Sequence, residues 1–308
     1  MQIEITKEHH GRILRAFLQK DLALSTKMLK HLKFSEDGIT VNGTRVTVRY
    51  VLQTGDLLSV ALEDEESAPI EPVDLPIEIL YEDAHLVVPS KPAEMPTHPS
   101  HDHYGDTVAN ALAYRYASLG IPFVFRPINR LDRNTSGLLL IARNRVAAGR
   151  MSEDMRNGRI KKEYLAVLDG VLESDGGVID ACLHRTAASI IVREVCSPDA
   201  PDADKAITEY TVLARGELHT LVLAKPITGR THQLRVHFAH IGHPITGDNL
   251  YGQASPLIAR HALHACKLCF FHPASGEQMH LTAPLPPDME WLIAKLFPDF
   301  ISLQRSQP

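Results

Sequence analysis

The sequence predicts a protein of mixed helices and strands, built from two domains. The chain has 308 residues, more than a typical single domain, and 44% of them are hydrophobic, enough for a sizeable core. Residues 1–62 combine helical spacing with a hairpin signal, and residues 77–308 alternate strand-like and helical segments. Between them, residues 63–76 are acidic and contain proline, which is typical of a linker.

The N-terminal part is predicted to place two basic helices on a small sheet. The run GRILRAFLQKDL has apolar residues at helical spacing, and a second helix is expected to start at Ser25, a suitable N-cap. The run ITVNGTRVTVRYV alternates in polarity around Asn42 and Gly43, a hairpin signal, and the chain turns again at Gly55 and Asp56.

The C-terminal part is predicted to contain at least four strands and three helices. Apolar runs bounded by turn residues indicate the strands, and 3.6-residue spacing with capping residues indicates the helices. In chain order, these elements are two strands within IEILYEDAHLVVPSKP, a helix over Asp106–Tyr116, a buried strand over Leu138–Ala142, a helix over Arg145–Asn157 closed by Gly158, a strand in KKEYLAVLDG, and a helix over Thr231–Ile241.

The charge distribution favours a polyanionic partner although the whole chain carries a formal charge of −5. Residues Glu63 to Asp83 include nine acidic side chains and no Lys or Arg. Between Arg12 and Lys33, six basic residues face one acidic residue, giving +5. Residues 126–162 hold ten basic and three acidic residues, giving +7. Either window is compatible with a solvated helix face, but the pair favours binding to nucleic acid.

The sequence signals neither a membrane segment nor a metal or nucleotide cofactor. The N-terminus MQIEITKEHH lacks a secretory apolar segment, and no stretch approaches the ~18 apolar residues of a span, so a soluble, cytoplasmic protein is expected. Cys266 and Cys269 form one C-x-x-C in an apolar run, where core thiols are favoured over half of a zinc site. His237, His240 and His243 lack an acidic partner pattern, and the chain has no P-loop and no G-x-G-x-x-G.

The stretch RPINRLDRNTSGLLLIARN, residues 126–144, holds the main candidate for catalysis. Its single carboxylate, Asp132, lies between Arg130 and Arg133 on a loop that leads into the predicted buried strand. Guanidinium neighbours keep such a carboxylate ionised, so that it can act as a nucleophile or a base. The alternative is a surface aspartate that caps the turn and pairs with arginine.

Two further stretches carry residues suited to an RNA site. Tyr164 lies in the KKEYLAVLDG strand, where it is either a core residue or a ring on which an unstacked base can rest. The run GRTHQLRVHFAH places Arg230, His232 and Arg235 around the start of a helix, where donors suit carboxylates and phosphates.

Together these stretches resemble one family, the ribosomal large-subunit pseudouridine synthases that act on uridines of RNA. The resemblance covers nearly the whole chain through RPINRLDRNTSGLLLIARN, KKEYLAVLDG, GRTHQLRVHFAHIGHPITGDNLYG and HALHACKLCFFHP. It implies an α+β fold, with a central mixed, largely antiparallel sheet flanked by helices. Residues 1–62 resemble the small alpha-L RNA-binding domain first described in a small-subunit ribosomal protein, through their two helices, VNG turn and closing Gly-Asp.

The family resemblance also implies roles for individual residues. Asp132 would be the catalytic aspartate, Tyr164 the ring that stacks on the target base, and Arg235 the partner that forms a salt bridge with Asp132. The residues expected to bind substrate are Arg130, Arg133, Arg230, His232, Asn129 and Lys162. Two positions depart from the family pattern: Asn129 replaces a histidine before Arg-Leu-Asp, and Glu94 replaces the glycine of Lys-Pro-x-Gly.

The resulting prediction is an enzyme that isomerises uridine in RNA without a cofactor and acts as a monomer. Ribosomal RNA is the favoured substrate and transfer RNA the alternative. Asp132 could attack the anomeric carbon or remove the 2′ proton of the ribose, and the sequence does not choose between them. The competing hypotheses are a non-catalytic RNA-binding or ribosome-assembly factor and a metal-dependent hydrolase built on the histidine-rich segments.

Overall fold

The computed structural model describes residues 2–22, 24, 26–35, 37–61, 70–100, 102–187, 189 and 191–300. It confirms the α+β class, with a small N-terminal sheet and a large mixed sheet flanked by helices. The helices are α1 Leu14–Lys20, α2 Thr26–Phe34, α3 Val108–Ser118, α4 Arg145–Arg156, α5 Gln233–His240 and α6 Pro287–Leu296. The strands are β1 Gln2–Glu4, β2 Ile39–Val41, β3 Thr44–Arg45, β4 Leu57–Val60, β5 Glu78–Glu82, β6 Leu86–Lys91, β7 Arg126–Pro127, β8 Ser136–Leu138, β9 Ile141–Ala142, β10 Lys161–Asp169, β11 Gly176–Asp180, β12 Leu183–Arg185, β13 Arg193–Val195, β14 Ile207–Arg215, β15 His219–Pro226, β16 Leu263–Phe271 and β17 Gln278–Thr282.

The N-terminal sheet has its own hydrophobic core. Its four strands are ordered β1-β4-β2-β3, and α1 contributes Leu14, Phe17 and Leu18 to the buried side. The predicted hairpin turn is present, because Asn42 (φ 51°) and Gly43 (φ 78°) take the left-handed conformations that a tight two-residue turn needs. The predicted N-cap at residue 25 and half of the predicted linker, residues 63–69, lie outside the described residues.

The large sheet has eleven strands, nine of them in the order β11-β14-β15-β10-β16-β8-β6-β9-β7, with β17 on β16 and β5 on β6. Among the described strands, β8 and β16 pair in parallel and the other neighbours pair antiparallel, as expected for a mixed, largely antiparallel sheet. Successive side chains of β6 point to opposite faces of the sheet and join two hydrophobic cores. Val87 packs on the face covered by α3, α5 and α6, whereas Leu86 and Val88 pack on the face covered by α4.

The apolar run Leu138–Ala142 is fully buried, but it does not form the single strand that its pattern predicts. It divides into β8 and β9, which align with β6 in one continuous register. The interruption falls opposite Pro89, whose carbonyl accepts a hydrogen bond from the Leu139 amide at 3.2 Å but which has no N–H to return one. The sequence pattern therefore identified the burial correctly and missed the break.

The predicted helices are confirmed with small shifts at their ends. Thr107 caps α3 through a capping box, and the Asn144 side chain caps α4, which ends before Gly158 at φ 66°. Helix α5 begins at Gln233, two residues later than the pattern predicts, because His232 takes a left-handed conformation with φ 57°. This turn directs the start of α5 toward the loop that carries Asp132.

Candidate active site

An open cleft of about 1440 Å³ runs along the large sheet and contains every residue that the sequence assigned to the site. Its wall is formed by the Asp132 loop, the start of β10 and the turn before α5. The site residues that line it are Asn129, Arg130, Asp132, Arg133, Lys162, Tyr164, Arg230, His232 and Arg235. Residues from distant parts of the chain therefore meet at one basic surface.

Asp132 is partly exposed to this cleft, with a quarter of its side chain accessible. Arg235 Nη1 lies 3.4 Å from Asp132 Oδ2, and His232 Nε2 lies 3.9 Å from Asp132 Oδ1. Arg133, which follows Asp132 in the sequence and was expected to flank its carboxylate, is exposed and instead donates from Nε to the Glu94 carbonyl at 3.2 Å. The nearest cation to the carboxylate thus comes from α5, as the family resemblance implied.

Arg235 is held in place by Asp248, a buried carboxylate that the sequence reasoning did not single out. Arg235 Nε donates to Asp248 Oδ2 at 2.7 Å and Nη2 donates to Oδ1 at 2.8 Å, a bidentate pair. Burial alone raises the pKa of Asp248, but the hydrogen bond and charge of Arg235 outweigh it and leave this pKa below its ordinary value. Asp248 therefore orients the guanidinium that reaches Asp132.

Tyr251, a second residue missed from the sequence, joins the turn before α5 to the rest of the site. Its hydroxyl accepts a hydrogen bond from the Arg193 amide at 2.9 Å and lies 2.8 Å from His232 Nδ1. The Arg235 guanidinium carbon lies 5.0 Å from the centre of the Tyr251 ring, a cation–π contact. Asp248 and Tyr251 both belong to the GDNLYG end of the family motif, which was the available signal.

Tyr164 forms part of the cleft floor from the middle of β10. The side chain is 7% exposed, and the pairing of β10 with β16 shifts register between Glu163 and Tyr164. Burial, with a smaller contribution from the charge of Asp132, raises the pKa of Tyr164, so its hydroxyl stays protonated at neutral pH. A neutral ring at the base of an open cleft offers an apolar surface to a base.

The loop that carries Asp132 is anchored on both sides of this residue. Thr97 Oγ1 donates to the Leu131 carbonyl at 3.0 Å, and Lys91 Nζ donates to the Arg133 carbonyl at 2.8 Å. Further contacts join Arg260 Nη1 to the Asn134 carbonyl at 3.0 Å and Thr135 Oγ1 to His261 Nε2 at 2.8 Å. The loop is therefore fixed by side chains from several elements.

Lys91 is a buried lysine whose side chain contacts this loop. It is 1% exposed, and Nζ also donates to the carbonyls of Pro92 at 2.8 Å and Met95 at 2.7 Å. Burial lowers the pKa of Lys91 to about 7, with a contribution from the charge of Arg260, whereas the charge of Asp132 favours the ammonium form. Three carbonyl acceptors match the three donors of an ammonium group, which also favours the charged form.

The other predicted substrate-binding residues differ in exposure. Arg130 is exposed, while Arg230 is exposed and pairs with Asp204 at 2.9 Å. Burial lowers the pKa of Lys162, which is half-buried in the cleft wall. Asn129 is buried, and its Oδ1 accepts from the Leu140 amide at 2.7 Å, so its amide group supports the strand backbone.

The cysteines of the C-x-x-C pair and His237 of the histidine-rich segment are packed within the fold. Cys266 is buried and Cys269 is half-buried on β16, and both are free thiols. His237 lies between Thr208 Oγ1 at 2.9 Å and the Ala181 carbonyl at 3.1 Å. Within the part of the chain that the structure describes, no group of three or more His, Cys, Asp or Glu side chains is arranged to hold a metal ion.

The arrangement combines a carboxylate, a fixed guanidinium and a buried phenol in a cleft rich in cations. Such a carboxylate can act as a base or nucleophile toward a sugar, and the cations suit a phosphate backbone. The fold and site therefore define an enzyme class that modifies nucleotides within a polynucleotide.

No helix among the described residues is long and apolar enough to cross a membrane.

Comparison with known families gives this class a name. The family model described as RNA pseudouridylate synthase matches residues 85–240, which include the Asp132 loop, β10 and α5. The chain belongs to the RNA pseudouridylate synthase family, whose members isomerise uridines in RNA.

Relatives of similar length support this assignment along most of the chain. An uncharacterized RNA pseudouridine synthase of Bacillus subtilis, YjbO, is 40% identical over 276 residues, covering 89% of this chain and 95% of the relative. The ribosomal large subunit pseudouridine synthase D of Zymomonas mobilis is 35% identical over 312 residues, covering 96% and 97%. The human RNA pseudouridylate synthase domain containing 1 is a solved structure with 27% identity and a TM-score of 0.58, covering 79% of this chain and 99% of that one.

Proposed function

We propose that Asp132 is the catalytic carboxylate of this pseudouridine synthase and that its substrate is a uridine in ribosomal RNA. The observation that carries the proposal is the Asp132 side chain, open to the cleft and 3.4 Å from a guanidinium that Asp248 holds in place. The isomerisation breaks the bond between C1′ and N1, forms one between C1′ and C5, and moves a proton from C5 to N1. It needs neither an oxidant nor a second substrate.

The proposed roles follow from the position of each side chain. An ionised Asp132 beside the sugar serves either route, attack at C1′ or removal of the 2′ proton. Arg235 keeps the carboxylate oriented, and Tyr164 provides a ring for the displaced base. Base–aromatic stacking contributes roughly 1–3 kcal/mol per base, which helps to offset the free energy of extracting a nucleotide from its stack.

The basic residues around the cleft are proposed to bind the RNA backbone. Arg130, Arg133 and Arg230 have exposed side chains, and Lys162 lies deeper in the wall. Arg130 is also proposed to support opening of the RNA beside the target. Asn129 is proposed to act through the strand that it bonds, since both of its amide contacts go to backbone atoms of Leu138 and Leu140.

The choice of RNA rests on the relatives and on the N-terminal region. The ribosomal large subunit pseudouridine synthase D of Zymomonas mobilis aligns over 96% of the chain, which favours ribosomal RNA over transfer RNA. We propose that residues 1–62 are an RNA-binding domain of the alpha-L kind, in a cytoplasmic and monomeric protein. Lys30 and Lys33 are exposed there, and reversing both charges should weaken RNA binding measured at low salt.

Replacing Asp132 with asparagine tests the catalytic role. Purified wild-type protein and Asp132→Asn are incubated with unmodified ribosomal and transfer RNA, and pseudouridine is mapped by mass spectrometry. The variant should form no product while its affinity for RNA changes by less than about threefold, because one carboxylate contributes little to binding a polyanion. Asp175→Asn, an exposed aspartate that pairs with Arg215 outside the cleft, is the matched control and should remain active.

The outcomes separate the proposals. Product formation by Asp132→Asn at the wild-type rate would exclude Asp132 as the catalytic group. Modification of transfer RNA alone would exclude the proposed substrate. Binding without modification by the wild-type protein would favour the RNA-binding or assembly factor.

A further inference from the structure

The side chain of Tyr251 makes three contacts that converge on the residues nearest to Asp132. Its hydroxyl meets the Arg193 amide and His232 Nδ1, and its ring supports the Arg235 guanidinium. The rings of Tyr251 and His232 also meet edge to face, with centroids 5.6 Å apart. Tyr251 itself is not among the residues that line the cleft, so any effect of Tyr251 on chemistry must pass through its neighbours.

Hydrogen-bond donors and acceptors determine the proton on His232. The Arg193 amide can only donate, so the Tyr251 oxygen is its acceptor. The hydroxyl proton of Tyr251 finds an acceptor in His232 Nδ1, 2.8 Å away, when that ring nitrogen is unprotonated. A neutral imidazole with an acceptor at Nδ1 carries its proton at Nε2, the nitrogen 3.9 Å from Asp132 Oδ1.

We propose that Tyr251 is a positioning residue that fixes His232 as the Nε2–H tautomer, so that a neutral N–H donor faces the catalytic carboxylate. This inference rests on the proposed role of Asp132. A shift of less than about 1 Å brings Nε2 within hydrogen-bond distance of Oδ1. The Tyr251 hydroxyl at Nδ1 and the edge-to-face contact with the Tyr251 ring hold the His232 ring in this orientation.

The charged groups around His232 are consistent with a neutral ring. Burial is the main reason that the pKa of His232 falls below its ordinary value, and Asp132 partly opposes this shift. The other charged groups that face the ring are Arg235, Asp248 and Arg193. The phenol can remain a donor at neutral pH, since burial raises the pKa of Tyr251.

A neutral donor suits the chemistry better than a charged one would. A hydrogen bond from Nε2–H orients the carboxylate and supports its ionised form. A second full positive charge beside Arg235 would stabilise the carboxylate further and weaken it as a base or nucleophile. The tautomer therefore affects the reactivity of Asp132 without contacting the RNA.

The first test measures the tautomer directly. Nitrogen-15 NMR of histidine-labelled protein at pH 7.5, with the His232 signals assigned by their loss in His232→Gln, distinguishes protonated from unprotonated ring nitrogens. The expected spectrum has a protonated Nε2 and an unprotonated Nδ1. A protonated Nδ1, with or without a second proton, would overturn the proposal, whatever RNA the enzyme modifies, because this measurement needs no substrate.

The second test compares Tyr251→Phe with Tyr210→Phe, which alters a half-buried tyrosine that packs edge-on against Phe238 outside the cleft. Tyr251→Phe should mix the His232 tautomers and lower kcat roughly tenfold, the scale of one lost hydrogen bond, with KM nearly unchanged. Tyr210→Phe should change neither. Equal kcat values for the two variants, or a Tyr251→Phe effect confined to KM, would contradict the positioning role. If Tyr251→Phe does not fold, the wild-type spectrum still decides.

Discussion

Replacing Asp248 with asparagine removes the charge that holds Arg235 beside Asp132 while keeping the side chain's size. The Asp248 side chain is fully buried and that of Arg235 is 7% exposed, so water cannot replace the lost partner. Asparagine keeps one acceptor oxygen but offers an N–H group where the second guanidinium donor now lies. The variant leaves a buried cation whose only other described carboxylate partner is Asp132 at 3.4 Å.

The expected cost in stability is large for a single atom exchange. Breaking a buried ion pair by removing one partner typically costs about 3–5 kcal/mol. With a urea m-value of roughly 2–3 kcal/mol per molar, the unfolding midpoint should fall by about 1–2.5 M. The turnover number should also fall, because Arg235 is then free to move closer to Asp132 and make this carboxylate less reactive.

Urea unfolding at a series of pH values distinguishes lost charge from lost packing. The pKa of Asp248 is below its ordinary value in the folded protein, so its ionisation stabilises the fold above the unfolded pKa of about 3.9. This contribution disappears as the pH falls through the lower, folded pKa. The gap between wild type and Asp248→Asn should therefore be constant above about pH 5 and shrink steadily below about pH 4.

Asp175→Asn provides the control, because Asp175 also forms an ion pair with an arginine, Arg215, at 2.8 Å. The side chains of Asp175 and Arg215 are 91% and 33% exposed, so solvent can replace much of the lost interaction, and a cost of at most about 1 kcal/mol is expected. The reasoning would be refuted if both variants unfolded at the same urea concentration. A gap for Asp248→Asn that stayed unchanged down to pH 3 would refute the electrostatic explanation.

Two further predictions concern backbone positions beside the site. Gly137→Ala should destabilise the protein by about 3–5 kcal/mol or prevent folding, since φ is 112° and the added Cβ would clash with the Ala265 carbonyl oxygen. Gly276→Ala is the control, because φ is 72° there but the space around a Cβ is open, and it should cost only about 1–2 kcal/mol. Thermal melts followed by circular dichroism measure both. Glu94→Gly should stabilise the protein by up to about 1 kcal/mol, seen as a slightly higher melting temperature, because glycine adopts the φ of 67° at this position without strain. A lower melting temperature would show that the Glu94 side chain contributes more than its backbone strain removes.

Sequence reasoning identified the groups that local patterns and the family motifs carry. Asp132, Tyr164 and Arg235 were predicted and meet in one cleft, and the pairing of Asp132 with Arg235 was predicted from the family resemblance. The break within Leu138–Ala142 was not predicted, because it depends on Pro89 in a neighbouring strand. A one-dimensional pattern records burial but not the hydrogen-bonding capacity of the partner.

The supporting residues were harder to identify for a related reason. Asp248 and Tyr251 look like ordinary turn residues in GDNLYG, and their roles depend on contacts with α5 and β13. Lys91 belongs to the Lys-Pro-x-Gly pattern, which does not reveal that its side chain bonds three backbone carbonyls. One of these carbonyls belongs to Arg133, 42 residues further along the chain. Charge adjacency in sequence was also misleading, since Arg133 turns away to the Glu94 carbonyl.

The anchored loop around Asp132 has a consequence for how RNA is selected. With Thr97, Lys91, Arg260 and His261 all bonded to it, the loop has little capacity to follow a misplaced sugar. Adaptation must then come from the nucleic acid, and the uridines that react fastest will be those in pliable segments such as bulges and mismatched loops. The local conformational flexibility of the RNA, as much as its base sequence, would thereby decide which uridines are converted.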